Sequence, residues 1–229
     1  MHPSRWTAVL VAVMFLGILP VPARAQESGT DRYMRFWTRW IWQTPEGREL
    51  SRLLDTVPPD EISDRAFALT SRGLARLSGA EQLARLNILS QVYRAVEPEE
   101  CARLVMEGYS TDRRHLLGVI GQLDSASVAT WTALAGRAML SEWRNDPPPV
   151  AGSMRALEDG FVEIFAVLSP LEAPKFARIA DDLESGRASD REVCWWGEML
   201  NRALGRMPKR RGGEIARLIV WASLADRQP

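Results

Sequence analysis

The sequence predicts an all-α protein, either a compact multi-helix bundle or an irregular array of about ten short helices. Apolar residues recur at the three- and four-residue spacing of one helix face, as in Leu86, Leu89, Tyr93 and Val96. Capping residues, prolines and glycines separate such segments. No segment shows the sustained alternation with Val, Ile and Thr that a half-buried strand requires. We therefore expect helices and no sheet.

Capping boxes mark the start of two predicted helices. Ser78 precedes Glu81 by three residues, and Ser189 precedes Glu192 by three. In this pattern the hydroxyl and the carboxylate satisfy backbone N–H groups that the first helical turn leaves unpaired. We expect helices to begin directly after Ser78 and Ser189.

At two further predicted helix starts, a capping residue directly precedes a proline. Thr44 precedes Pro45, and Ser169 precedes Pro170. Proline is well tolerated at the first helical position because its missing N–H would have no partner there. We expect helices to begin at Pro45 and Pro170.

Proline and glycine supply the predicted ends and turns, among them Gly212-Gly213, which follow a small basic loop at 209–211. With the start signals they divide the chain into eleven segments, or about ten helices if neighbours merge. The segments are roughly 31–42, 45–56, 60–77, 79–97, 98–108, 111–122, 125–145, 151–168, 170–185, 189–207 and 213–226.

The first 25 residues have the pattern of a secretory signal peptide. Arg5 is followed by an apolar run of 14 residues, 6–19, and Ala23-Arg24-Ala25 stands before Gln26. The run is shorter than the roughly 20 residues that span a bilayer, and small residues suit the peptidase. An uncleaved membrane anchor is the alternative. We expect cleavage near Ala25 and a bacterial periplasmic or secreted location.

The mature chain is expected to form a helical N-terminal lobe, 26–145, and a C-terminal lobe, 150–229, packed against it; a single domain is the alternative. Resemblances between 91–101 and 163–173, each a helix end followed by a proline-led helix, raise the possibility that the lobes are related. In each lobe these two helices would be followed by a third helix that carries Val-x-x-Trp, which gives a unit of three helices. Such matches are common in helical proteins, and no known repeat consensus fits.

Charge argues against a nucleic-acid partner. Removal of residues 1–25 takes away two arginines and leaves 27 basic against 29 acidic side chains. A polyanion partner normally requires a basic excess. We expect no nucleic acid to bind.

Cys101 and Cys194 are the two cysteines of the chain. An oxidising compartment allows them to form a disulfide, and two buried thiols are the alternative. A catalytic thiol is disfavoured because the mature chain has a single histidine, His115, and no Cys-x-x-Cys pair.

The first mature helix carries the strongest candidate interaction surface. Arg32, Arg35 and Arg39 cluster on one face of this helix. The opposite, aromatic face carries Tyr33, Phe36, Trp37, Trp40 and Ile41. Aromatic and arginine faces are typical of a helix that lies on an anionic membrane surface. An ordinary bundle helix with a solvated arginine face has the same pattern, and we favour it.

Adjacent tryptophans pose a similar choice further along the chain. Trp196 belongs to an apolar stripe with Val193 and Leu200, whereas Trp195 points about 100° away from that stripe. Trp195 either packs against a second neighbour, which we favour, or anchors a partner.

No catalytic, cofactor or metal motif is recognisable. A lone His115 does not make a transition-metal site. Carboxylates around Gly186 could supply the oxygen ligands that Ca²⁺ prefers, but their spacing matches no EF-hand, and interleaved arginines favour salt-bridged helix ends. We expect no metal and no cofactor.

Three functions remain open from the sequence. The leading prediction is a non-enzymatic envelope protein that binds a protein or peptide in a groove between helices. The second is a protein of the membrane surface that uses the helix at 31–42. The third is a cell-wall hydrolase with a carboxylate pair assembled by the fold.

Overall fold

A computed structural model describes residues 28–107 and 113–225. In these residues the structure has eleven α-helices and no strand, which confirms the all-α prediction. The predicted signal peptide lies outside the described residues. The helices are α1 (Gly29–Gln43), α2 (Pro45–Leu54), α3 (Ile62–Gly73), α4 (Gly79–Ala95), α5 (Pro98–Glu107), α6 (Arg113–Gln122), α7 (Ser125–Arg144), α8 (Met154–Val167), α9 (Glu172–Glu184), α10 (Asp190–Arg206) and α11 (Lys209–Ala225).

The capping signals act as the sequence predicts. Ser78 N–H donates to Glu81 Oε2 at 2.8 Å, and Glu81 N–H donates to Ser78 Oγ at 3.3 Å. Thr44 Oγ1 accepts from the Gly47 N–H at 2.9 Å. These bonds satisfy donors of the first turns of α4 and α2.

Several helix boundaries differ by a few residues from the predicted ones, among them the end of α3 and the start of α9. The helix expected over 60–77 ends at Gly73 and continues as a 3₁₀ turn, Leu74–Arg76. The helix expected from Pro170 begins at Glu172, whose N–H donates to Ser169 Oγ at 3.2 Å while its carboxylate accepts from the Ser169 N–H. Ser169 thus still satisfies the Glu172 N–H at the start of α9. Pro170 and Leu171, which lie between Ser169 and Glu172, form a turn rather than helix.

The predicted turn at Gly212-Gly213 is wrong, because both glycines lie inside α11. A Cβ atom at Gly213 would lie 2.7 Å from Gly79 Cα, so the close crossing of α11 with α4 leaves no room for a side chain. The basic residues 209–211, predicted to be a loop, form the first turn of α11.

Three apolar clusters form the core. The first lies among α1, α4, α6 and α7, the second among α8 to α11, and the third among α2, α3 and α7. Helix α4 contributes to the first two: Ile88 and Val92 are buried in the first, whereas Leu83 and Leu86 pack on the second. The predicted division into two lobes stays a prediction, with α4 packed against helices of both.

The helix order does not repeat between the halves. In the first half α6 stands between the proline-led α5 and α7, the helix of Val128 and Trp131. In the second half α9 leads directly to α10, the helix of Val193 and Trp196. The three-helix unit that the sequence raises as a possibility is therefore interrupted by an additional helix in the first half.

Cys101 of α5 and Cys194 of α10 lie together in the structure. Their sulfur atoms are 2.03 Å apart and their Cα atoms 5.3 Å apart, across a sequence separation of 93 residues. The predicted pairing of the two cysteines is therefore confirmed at disulfide distance, and it links the two halves of the chain.

Candidate functional site

A cavity of about 720 Å³ lies among α1, α3, α6 and α7. Four aromatic side chains contribute to its wall: Tyr33, Trp37, Phe67 and Trp131. We call it the aromatic cavity. Most of its other lining side chains are aliphatic.

One face of α1 forms a wall of the aromatic cavity. Tyr33, Trp37 and Ile41 are four residues apart and all line it, because residues at this spacing share a helix face. The Trp37 ring also stacks on the Trp40 ring with centroids 5.4 Å apart. Tyr33 is buried, and burial raises the pKa of its hydroxyl, so this group is neutral at physiological pH.

Arg85 of α4 is one of two charged residues among the described lining residues of the aromatic cavity. It is 9% exposed and lines the cavity. Its Nε donates to Gln82 Oε1 at 2.9 Å, and the amide of the fully buried Gln82 donates in turn to the Leu74 carbonyl. This relay fixes the guanidinium on the 3₁₀ turn that follows α3.

Arg85 is not among the contact residues that the sequence predicts. Gln82, Arg85, Ile88, Leu89 and Val92 share the buried face of α4, at spacings of three and four residues. Polar residues that continue an apolar face are the available signal, and such residues are costly to bury unless they are bonded. Which group they face depends on neighbouring helices that come from distant parts of the chain.

The cavity reaches solvent beside the segment that leads into α3. Pro59, Asp60 and Ser63 line it and are exposed. In contrast, Tyr33 and Trp131 are buried. The aromatic cavity thus has an exposed rim and a buried inner wall.

The residues of the candidate interaction surface on α1 have different surroundings in the structure. Trp37 lines the cavity, while the Trp40 ring fills the space that a side chain at Gly136 would need. Arg32 donates to the carbonyls of Gly121 and Leu123 at 3.1 and 2.8 Å, so it supports the end of α6.

The other candidate contact residues lie away from the cavity lining. Arg35 and Arg39 are exposed, and the Arg39 guanidinium carbon is 5.9 Å from the centroid of Phe36. Trp195 is half-buried beside the second core cluster, and Lys175 Nζ lies 4.1 Å from its ring centroid. The structure does not bring Trp195 together with α1. Their role in binding stays a prediction.

The carboxylates near Gly186 form ion pairs with arginines. Arg178 bonds to Asp182 and to Glu192, each at 2.7 Å, and Arg187 bonds to Asp182 at 3.1 Å. Within 28–107 and 113–225, no group of three His, Cys, Asp or Glu side chains converges in a way that could hold a metal ion.

The aromatic cavity provides walls for binding but few groups for catalysis. Asp60 is the one carboxylate among its described lining residues, and it stands at the exposed rim. Glycoside hydrolysis of the usual kind uses two carboxyl groups. We therefore assign no hydrolytic chemistry to this cavity.

Comparison of the chain with protein-family models, with curated proteins and with solved structures finds no match. Among the described helices, none is both long enough and apolar enough to span a bilayer.

Proposed function

We propose that this protein is a binding protein that takes up one apolar or amphipathic small molecule in the aromatic cavity. The observation that carries the proposal is a cavity of about 720 Å³ with four aromatic side chains in its wall. Small-molecule sites are commonly concave, largely apolar and roughly 300–1,000 Å³ in volume, with a few polar groups that orient the ligand.

Burial of the ligand supplies the driving force. Each CH₂ group moved from water into an apolar site contributes about 0.8 kcal/mol before the cost of immobilising the ligand. Flat aromatic rings such as those of Trp37 and Phe67 provide large, rigid contact surfaces for an aliphatic chain or a ring.

A protein or peptide partner is the second candidate, and it follows from the sequence analysis. Apolar side chains of such a partner would enter the same cavity past Pro59 and Ser63. Export to the envelope stays part of the proposal because it depends on the predicted signal peptide. A membrane-surface role for α1 has less support, since Tyr33 and Ile41 of its apolar face are buried.

Fluorescence titration with N-phenyl-1-naphthylamine, a neutral apolar dye, tests the proposal. We expect saturable binding of one dye per chain. Ala135 of α7 lines the cavity, so Ala135→Phe fills part of it and should weaken binding at least ten-fold. Ala129 is exposed on the same helix, and Ala129→Phe should leave binding unchanged.

Comparison of the two variants distinguishes dye bound in the cavity from dye bound elsewhere on the protein. Equal loss in both variants, or no loss in Ala135→Phe, would place the dye elsewhere and contradict the proposal. Circular dichroism confirms that each variant is folded. A long apolar peptide that binds while every small probe fails would favour the second candidate.

A further inference from the structure

We propose that a second cleft, between α7 and α11, binds the phosphate group of a small molecule. The cleft has a volume of about 430 Å³ and shares no described lining residue with the aromatic cavity, so the proposal does not depend on that cavity. Four arginines are among its described lining residues: Arg76, Arg137, Arg144 and Arg217. We call it the arginine cleft. The observation that carries the proposal is that Arg217 lines it without a counterion.

One face of α7 forms a wall of the arginine cleft. Arg137, Ser141 and Arg144 follow one another at spacings of four and three residues, and all three line the cleft because such residues share a helix face. Arg217 comes from α11, and Arg76 ends the 3₁₀ turn before α4. The fold thus brings positive side chains from three separate parts of the chain to one cleft.

Three of the four arginines have carboxylate partners. The pairs are Arg76 with Glu142, Arg137 with Glu81 and Arg144 with Glu49. The side chains of Arg137 and Arg144 are nevertheless about half exposed. A guanidinium has more N–H donors than one carboxylate engages, so both arginines keep donors for a ligand.

Arg217 differs from the other three. Its Nε is buried and has no acceptor, and no hydrogen bond or ion pair joins Arg217 to another residue that the structure describes. An arginine side chain is protonated throughout the pH range of proteins. Because Arg217 is half-buried, its charge is partly removed from water, which is costly without a counterion. An anionic ligand would supply that counterion.

The carboxylates of the arginine cleft do not cancel this charge. Glu46 and Glu81 are the two among its described lining residues. Glu81 already bonds to Arg137, with 2.7 Å between its Oε1 and the arginine Nε. Glu46 is exposed, so water and salt screen its repulsion of an anion. The charges of the cleft therefore favour an anion over a cation.

The donors of the cleft suit phosphate. Its oxygens match the planar fork of a guanidinium, and several of them can accept hydrogen bonds from different helices at once. The partly exposed Ser141 adds a hydroxyl donor between Arg137 and Arg144. The volume is typical of sites for small organic molecules, and most lining side chains are polar or charged. The inferred ligand class is therefore a phosphate monoester with a compact polar body.

Calorimetric titration in a phosphate-free buffer at neutral pH tests the inference. Glucose 6-phosphate, glucose and glucosamine share a sugar ring and carry a negative, a neutral and a positive substituent. We expect glucose 6-phosphate to bind more tightly than glucose by roughly ten-fold or more, and glucosamine to bind no better than glucose. Inorganic phosphate should compete with glucose 6-phosphate, and added NaCl should weaken the binding of both.

Two arginine variants locate the effect. Arg217→Met should weaken the binding of glucose 6-phosphate by roughly ten-fold or more. It should not lower the urea midpoint, since Arg217 donates no hydrogen bond to a described residue. Arg155 is exposed on α8 and does not line the cleft, so Arg155→Met makes the same change in net charge and should keep the affinity.

A second pair of variants decides the question if Arg217→Met does not fold. Ser141→Glu places a carboxylate in the lining of the cleft and should abolish the preference for glucose 6-phosphate over glucose. Ala129→Glu adds the same charge at an exposed position of α7 outside the lining and should keep that preference.

Three outcomes would overturn the inference. The first is that glucose 6-phosphate binds no more tightly than glucose to the unmodified protein. The second is that its affinity survives in folded Arg217→Met or in Ser141→Glu. The third is an equal loss in Arg217→Met and Arg155→Met, which would show a response to net charge alone. Each of these results leaves the aromatic cavity and its dye titration unaffected.

Discussion

Arg76 joins the N-terminal helices to the segment that leads into α8. Its Nε donates to Glu142 at 2.8 Å, its Nη1 to the Pro147 carbonyl at 2.7 Å and its Nη2 to Asn145 at 2.6 Å. It is 8% exposed, so these acceptors replace water around a buried charge. The composition of the chain does not distinguish this arginine from the solvated ones.

Replacement of Arg76 by methionine should therefore destabilise the protein by about 3 kcal/mol, since it removes the three hydrogen bonds that a buried guanidinium donates to Glu142, Asn145 and the Pro147 carbonyl. Arg72 provides a matched control because it bonds to the other oxygen of Glu142 but has a side chain 55% exposed. Arg72→Met should cost less than about 1 kcal/mol. Urea unfolding measures both, and equal costs would contradict the structural role of Arg76.

The sequence predicts which side chains share a helix face, but it does not predict what those side chains contact. The helical spacing of Tyr33, Trp37 and Ile41 predicts their common face, and the structure has it. It does not predict whether that face meets a membrane, a core or a cavity. That Arg85 lines a cavity is equally unpredicted until α4 is placed beside the residues of α1 and α7.

Some helix crossings depend on glycines that allow two helices to pack closely and that do not form turns. Gly79 of α4 and Gly213 of α11 allow two backbones to approach so closely that a Cβ atom at Gly213 would lie 2.7 Å from Gly79 Cα. The sequence predicts a turn at Gly213 because glycine is a common helix terminator. The prediction fails since this glycine serves contact between helices.

Gly213→Ala should destabilise the protein by about 2 kcal/mol, because the added methyl group forces α4 and α11 apart. Gly205 of α10 is the control, as nothing lies within 4 Å of a Cβ atom built there. Gly205→Ala should stabilise by about 0.5 kcal/mol through its higher helix propensity. Thermal unfolding tests the pair, and effects of the same sign would contradict the proposed crossing.

Carboxylates in the first turns of α9 and α10 should make stability depend on acid pH. A hydrogen bond from Arg206 lowers the pKa of Glu172 from 4.5 to about 2, and a backbone hydrogen bond from Ser189 lowers that of Glu192 equally far. Their folded-state pKa values lie below the unfolded ones. Their contribution is therefore complete above about pH 4.5 and is lost as the pH falls toward 2.

Glu172→Gln should remove part of this dependence. We expect the variant to be less stable than the unmodified protein at about pH 6 and to lose less stability between about pH 5 and pH 2.5. Urea midpoints measured across this range provide the test. Parallel curves for the two proteins would show that Glu172 does not contribute to the acid loss.

At the scale of the whole molecule, the cysteine pair connects helices that are distant in the sequence. Closing a loop across 93 residues is expected to stabilise by about 4 kcal/mol in the chain-entropy account. Reduction should therefore lower the unfolding midpoint and add the mass of two hydrogen atoms. A variant with Ala at 101 and 194 should not respond to reductant. An unchanged mass or an unchanged midpoint on reduction would contradict the bridge.

The helical class and most helix positions follow from the sequence because periodicity and caps are local signals. The aromatic cavity does not, since most of its lining comes from α1, α3, α6 and α7, which are spread over residues 29–144. Its existence depends on how the packing of these helices leaves space, and a single sequence contains no direct measure of that space.

Occupancy of the aromatic cavity is the central claim, and photochemical labelling tests it most directly. A neutral diazirine derivative of dodecanol, irradiated with the folded protein and mapped by mass spectrometry, reports which side chains surround the bound molecule. We predict labels in α1, α3 and α7, reduced by excess dodecanol and by Ala135→Phe. Labels confined to other helices such as α10, or no label that excess dodecanol displaces, would contradict the claim.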